Sequence, residues 1–146
     1  MMEDPIFEPW SGKDPVLPRR ERPVGGRGTA DFLRAVAVPY LEALCARLRL
    51  GRHHASLDDL LDEPERLLRF RLIPWLGPLS DPVAEETALL EIGLGGERDE
   101  SAMVWHWIDR SGQAPDRAVT VPSSKLTASW VERVVLDFVG EVLERS

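Results

Sequence analysis

Glu91 and His106 are the two side chains in this sequence whose types best suit catalysis. A carboxylate close to an imidazole can act as an acid and base pair. Glu91 lies within residues 87–94 and His106 within residues 102–109, and both segments alternate like β-strands. The two side chains therefore share a pocket only if they fall on one face of a sheet. No other residue completes the site, and a histidine among apolar neighbours usually has a structural role.

Other reactive side chains have simpler structural explanations. Cys45 lies inside a predicted helix, where a small apolar thiol serves packing. Ser123 and Ser124 lack the motifs that surround nucleophilic serines, and either one can cap a following helix. His53 and His54 precede several acidic residues, but their spacing matches no metal site. We therefore expect no catalytic residue, no metal and no cofactor.

Three strands are predicted in the second half of the chain, over residues 87–94, 102–109 and 117–121. Their short connections imply an antiparallel meander. The expected register places Trp105 and Trp107 on the same face as the apolar residues of the first strand, so that the tryptophans face the core. The opposite face then carries Glu91, Val104, His106 and Ile108.

Helical periodicity precedes these strands. Residues 29–50 are predicted to form a helix with Thr29 as its N-cap. Pro39 removes a backbone donor, so we expect a kink or a break into two short helices there. Residues 56–59 have the form of a capping box and predict a second helix. Residues 68–73 also alternate like a strand, which makes them a candidate fourth strand.

The final helix, predicted over residues 125–144, has a broad apolar stripe that should cover the tryptophan face. Its outer side carries Glu132, Asp137 and Glu141. The expected fold class is therefore α+β. It comprises a three-stranded antiparallel meander, with a candidate fourth strand near residues 68–73, packed with two N-terminal helices and a long C-terminal helix.

Residues 1–28 are predicted to be a flexible arm before a single globular domain of residues 29–146. The arm contains five prolines and four glycines and shows no sustained periodicity. It also contains Arg19, Arg20, Arg22 and Arg27. Such a segment suits RNA, but the missing aromatic interleaving favours a solvated tail.

Length and composition are those of one ordinary globular domain: 146 residues, 43% hydrophobic and 29% charged. No apolar run approaches the ~20 residues that cross a bilayer. The first residues lack the basic and apolar regions of a secretory signal. A single cysteine, Cys45, agrees with a reducing compartment. A cytoplasmic protein is expected.

The negative charge is concentrated in the C-terminal part of the chain. Residues 81–146 contain six basic and thirteen acidic residues, whereas the preceding residues are balanced, so the whole net charge of -7 lies there. That part should repel phosphate backbones. An acidic surface of this kind suits a basic protein partner better than nucleic acid.

The leading functional hypothesis is a small protein-binding module, such as an accessory subunit, adaptor or inhibitor, without catalytic activity of its own. Its partner would be another protein of basic character or a second copy of the chain, and no membrane is expected. The candidate binding residues are Val104, His106, Ile108, Glu132, Asp137 and Glu141.

Two alternatives remain open. One is a small-molecule enzyme or ligand binder whose pocket contains Glu91 and His106. The other is nucleic-acid binding through the arginines of the arm. Further arginines that could contribute to it are Arg47, Arg49, Arg52, Arg69 and Arg71.

Overall fold

The computed structural model describes residues 28–75, 87–108 and 114–145, and within them five strands form one antiparallel sheet. The strands are β1 (His54–Leu60), β2 (Leu67–Ile73), β3 (Ala88–Gly95), β4 (Ser101–Trp107) and β5 (Arg117–Pro122). Each strand pairs with the next one along the chain. The α+β class and the meander are confirmed, but the count of three strands is wrong. Residues 1–27 of the predicted arm, including its arginines, lie outside the described residues.

The N-terminal helix begins as Thr29–Phe32, widens into a π-helical segment at Leu33–Ala37 and continues as Val38–Leu50. The chain therefore stays helical through Pro39 and does not divide into two short helices. Pro39 lies in the first turn of Val38–Leu50, directly after the wider segment. Proline has no backbone N–H to donate, and the change from π-helical to α-helical hydrogen bonding at this point allows the helix to continue without that bond.

The second predicted helix is wrong, because residues 56–59 belong to β1. Asp59 Oδ1 accepts a hydrogen bond from the Leu61 N–H at 3.0 Å, so this side chain begins a turn instead of capping a helix. Leu57 pairs with Phe70 across β1 and β2. Pairing of alternating apolar residues thus overrides the local capping motif. The candidate strand near residues 68–73 is confirmed as β2.

The C-terminal helix, Ala128–Arg145, begins later than the sequence predicts. Its first turn is capped by Thr127, whose Oγ1 accepts a hydrogen bond from the Trp130 N–H at 3.1 Å. The predicted cap residues lie instead in a 3-10 turn at Ser123–Lys125.

Thr29 and Ser123, both predicted as N-caps, join distant parts of the chain instead. Their hydroxyl oxygens are buried and lie 2.6 Å apart. Thr29 donates to the carbonyl of Asp99 at 2.7 Å, and Ser123 donates to the carbonyl of Glu100 at 2.6 Å. These hydrogen bonds attach the first residue of the N-terminal helix, and the 3-10 turn that precedes the C-terminal helix, to the β3–β4 loop.

Both helices pack on the same face of the sheet. The buried strand residues Phe70, Leu90 and Val104 all point to that face. The ring centroid of Phe138, on the C-terminal helix, lies 6.0 Å from those of Phe70 and His106. The helices contribute further core residues, among them Leu33, Tyr40, Leu41, Leu44, Leu48, Val131, Val135 and Val139.

The expected register of β3 against β4 is wrong by one residue. Glu91 pairs with Trp105, and Leu90 pairs with His106. A one-residue shift moves every side chain of a strand to the other face. Trp105 and Trp107 therefore point away from the helices, and the C-terminal helix does not cover them. Neither described helix is long and apolar enough to span a membrane; the cytoplasmic location stays a prediction.

We expect Phe138→Ala to lower the free energy of unfolding by about 3–5 kcal/mol, because it leaves a cavity between the helix and two strands. Urea denaturation followed by tryptophan fluorescence measures this loss. Leu50→Ala is the matched control, since Leu50 is 84% exposed; its effect should stay within about 0.5 kcal/mol. Equal effects of the two substitutions would contradict a core centred on Phe138.

Candidate protein-binding face

The sheet surface opposite the two helices is called the open face here. Among the described residues, no helix packs against it. It is formed by every second residue of the strands, and its centre consists of Leu67, Arg69, Arg71, Leu89, Glu91, Met103, Trp105 and Trp107.

Aromatic surface dominates the middle of the open face. Trp105, Trp107 and the neighbouring Met103 are partly exposed. Gly93 lies beside Trp105, and a Cβ atom at Gly93 would be 3.2 Å from Trp105 Cζ3 and 3.2 Å from the Cβ of Leu67. The missing side chain thus lets the indole pack closely against the strand. The result is an apolar area on the side of the sheet opposite the two described helices.

Glu91 holds the polar side chains of the open face in place. Its Oε2 accepts a hydrogen bond from Arg69 Nε at 2.7 Å, and its Oε1 accepts one from Trp107 Nε1 at 3.1 Å. Glu91 is only 9% exposed, so its charge is compensated by the guanidinium and the indole N–H. Both carboxylate oxygens have partners, which fixes the orientation of Arg69 and Trp107.

A second ion pair completes the charge balance of the open face. Arg71 lies 3.2 Å from Asp58, and both side chains are partly exposed. The described residues of the open face therefore carry two arginines and two acids, each arginine paired with one acid. The face is formally neutral, although the whole chain has a net charge of -7.

The predicted pocket of Glu91 and His106 is not formed, because the two residues lie on opposite faces of the sheet. Val104 and His106 are buried beneath the helices, and Ile108 packs against the core cluster. These three predicted binding residues therefore lie on the covered side. The reason is the one-residue difference in register described above.

The structure does bring His106 together with two other members of the predicted set. His106, Asp137 and Glu141 line a groove of about 600 Å³ beside the C-terminal helix, and Arg117 forms an ion pair with Glu141 across it. Burial lowers the pKa of His106, and the positive charge of Arg117 lowers it further. Glu132 is not one of the residues that line this groove.

Cys45 and the potential metal ligands can be compared with the sequence-based expectations in the part of the chain that the structure describes. Burial raises the pKa of Cys45 to about 11, so its thiol stays protonated at neutral pH. The same part contains no group of three or more His, Cys, Asp or Glu side chains that could hold a metal ion.

Sequence reasoning missed the set formed by Arg69, Glu91 and Trp107. A signal for it exists, because Arg69 and Arg71 alternate with buried residues of β2 and must point away from the core. Glu91 similarly interrupts the apolar residues of β3. Only the pairing of the strands shows that these charges meet.

Comparison with protein-family models, with curated proteins and with solved structures finds no match to this chain. The geometry of the open face is therefore the main indication of function.

We expect Glu91→Ala to lower the free energy of unfolding by about 1–3 kcal/mol, because it removes the carboxylate that accepts hydrogen bonds from Arg69 Nε and Trp107 Nε1. The double variant Arg69→Ala/Glu91→Ala should recover part of this loss, since the unpaired guanidinium is removed as well. Urea denaturation of the wild type, both single variants and the double variant measures the coupling free energy between Arg69 and Glu91. Strict additivity would show that Arg69 and Glu91 do not interact.

His106 should make the fold less stable at mildly acidic pH. Its folded pKa is lowered, so below about pH 6.5 the unfolded chain binds a proton that the folded chain does not. The stability present above pH 6.5 is therefore lost as the pH falls toward the folded pKa. His106→Gln should lose less stability than the wild type between about pH 7.5 and pH 5.5 in urea denaturation. Equal losses would contradict this linkage.

Proposed function

We propose that this chain is a protein-binding module without catalytic activity of its own, and that it binds its partner through the open face. The observation that carries this proposal is the one-sided sheet: among the described residues both helices cover one face, and two partly exposed indoles lie on the other. Contiguous apolar surface of this kind typically marks an interaction site.

The composition of the open face supports a binding role. Tryptophan and arginine are the residue types that contribute most to protein interfaces, because they bury large areas and retain hydrogen-bonding groups. Glu91 already orients Trp107 and Arg69 in the unbound chain. Little side-chain freedom is then lost on binding, which favours affinity.

The charge balance indicates the chemistry of the partner surface. Because each arginine of the open face has an acidic partner within that face, a basic or acidic patch would gain no net attraction. The complementary surface is therefore apolar and uncharged at its centre. The basic partner suggested by the sequence would fit the groove of Asp137 and Glu141 instead, and it stays a prediction.

We expect Trp105→Lys to abolish partner binding, because it places a charge at the centre of an apolar interface. The tagged full-length chain is purified from its native lysate, and its complexes are measured by native mass spectrometry. A loss of affinity of more than about 2 kcal/mol, or roughly thirtyfold, is expected for a central residue. Asp137→Lys, on the opposite side of the molecule, is the control and should keep the complex.

Each outcome of this comparison has one meaning. A stoichiometric complex with a different protein that survives Asp137→Lys and is lost with Trp105→Lys supports the open face. The reverse pattern would transfer binding to the acidic groove and reject the proposal. A complex that contains only copies of this chain would contradict a separate partner. Urea denaturation of both variants confirms that the fold is retained.

A further inference from the structure

A cavity of about 340 Å³ lies where the N-terminal helix ends against the first strands of the sheet. Four nitrogen-bearing side chains line it, together with two hydroxyl groups and two apolar residues. The lining residues are Arg49, His53, His54, Ala55, Ser56, Arg71, Ile73 and Thr87. No acidic residue of the described chain is among them, although acids exceed bases in the whole sequence.

The end of the N-terminal helix builds one wall of this cavity. The N–H of Arg52 donates a hydrogen bond to the carbonyl of Arg49 at 2.9 Å, and the N–H of His53 donates one to the carbonyl of Leu48 at 3.1 Å. This pair of bonds is a Schellman motif, in which the residue after the cap is left-handed. That residue is Arg52, with φ of 73°, and not the preceding Gly51. The reversal carries His53 and His54 back beside Arg49.

Further contacts hold the cavity in shape. Arg49 Nε donates to the carbonyl of Ala55 at 3.0 Å, which ties the helix to β1. His53 Nδ1 accepts the N–H of Trp75 at 2.9 Å, and the guanidinium of Arg52 lies 5.2 Å from the Trp75 ring centroid. Arg52 has a left-handed backbone conformation, which is unusual for a non-glycine residue, and these contacts hold the chain reversal that it forms.

The donors of the cavity suit an anion with several oxygens. Arg49 supplies a positive charge, Arg71 supplies a second guanidinium whose charge is shared with Asp58, and the hydroxyls of Ser56 and Thr87 add neutral donors. Asp58, outside the cavity lining, pairs with one nitrogen of Arg71 at 3.2 Å, and the guanidinium has further N–H donors that a ligand could accept from. A carboxylate has two oxygens and one charge, whereas a terminal phosphate has three oxygens and nearly two charges.

We propose that this cavity is a binding site for the terminal phosphate of a small phosphomonoester. Arg49 and Arg71 hold the phosphate oxygens, and the histidines and hydroxyls complete the hydrogen bonding. The chain reversal at the end of the N-terminal helix preorganises these groups. The negative end of the helix dipole opposes the anion. The charge of Arg71 is shared with Asp58, so the guanidinium of Arg49 is the main charge that offsets this partial charge. The cavity borders the open face, with which it shares Arg71, but the phosphate proposal does not depend on partner binding at that face.

We expect phenyl phosphate to bind the full-length chain and to shift the NMR signals of His53 and His54. His106 is the internal control, because it lies on the other side of the sheet under the C-terminal helix and should not respond. Benzoate carries the same ring and a carboxylate, and it should bind at least about tenfold more weakly because it offers fewer acceptor oxygens and less charge.

Arg49→Gln should weaken phenyl phosphate binding about tenfold or more, since a charged donor is removed. Arg133→Gln removes the same charge from an exposed position on the C-terminal helix and should change the affinity less than about twofold. An unchanged His106 signal shows that each variant is folded.

Three results would overturn the phosphate site. The first is no response of His53 and His54 to phenyl phosphate at up to about 10 mM. The second is an equal loss of affinity in Arg49→Gln and Arg133→Gln, which would indicate a general charge effect. The third is tighter binding of a single-stranded oligonucleotide without a terminal phosphate, which would assign the arginines to nucleic acid.

Discussion

The register of β3 against β4 is the constraint on which the rest of the structure depends. Glu91 lies opposite Trp105, so the indoles and the carboxylate share one face while His106 and Val104 share the other. Shifting the pairing by one residue would turn over one of the two strands, which would bring either Glu91 or the two indoles to the covered face. The energetic cost of an unpaired buried carboxylate opposes the first of these arrangements.

Because both helices lie on one side, the two faces of the sheet have different roles. The covered face supplies stability through closely packed apolar side chains around Phe138. The open face keeps partly exposed aromatic surface, and the bonds from Arg69 and Trp107 to Glu91 hold it rigid. The same strands therefore supply both a core and a preorganised surface for a partner.

The two helices place acidic and basic side chains in different parts of the molecule. The C-terminal helix places Asp137 and Glu141 along one groove, whereas the N-terminal helix ends at a cavity with Arg49 and Arg71. A charge-balanced open face and a neighbouring cavity lined by basic side chains, which share Arg71, thus occur within a chain of net charge -7. An overall charge consequently says little about what each local site attracts.

The sequence by itself determined the elements with long or clear periodicity, namely the helix over residues 29–50, the C-terminal helix and the three later strands. Their apolar spacing depends on neighbouring residues alone. Tertiary structure decided the β1 strand, where pairing with β2 prevailed over a capping motif, and it decided which face of β4 is buried. It also brought Arg69 to Glu91 and Arg49 to Arg71. Such contacts join distant parts of the chain, and a one-residue change of register, invisible in local periodicity, reverses them.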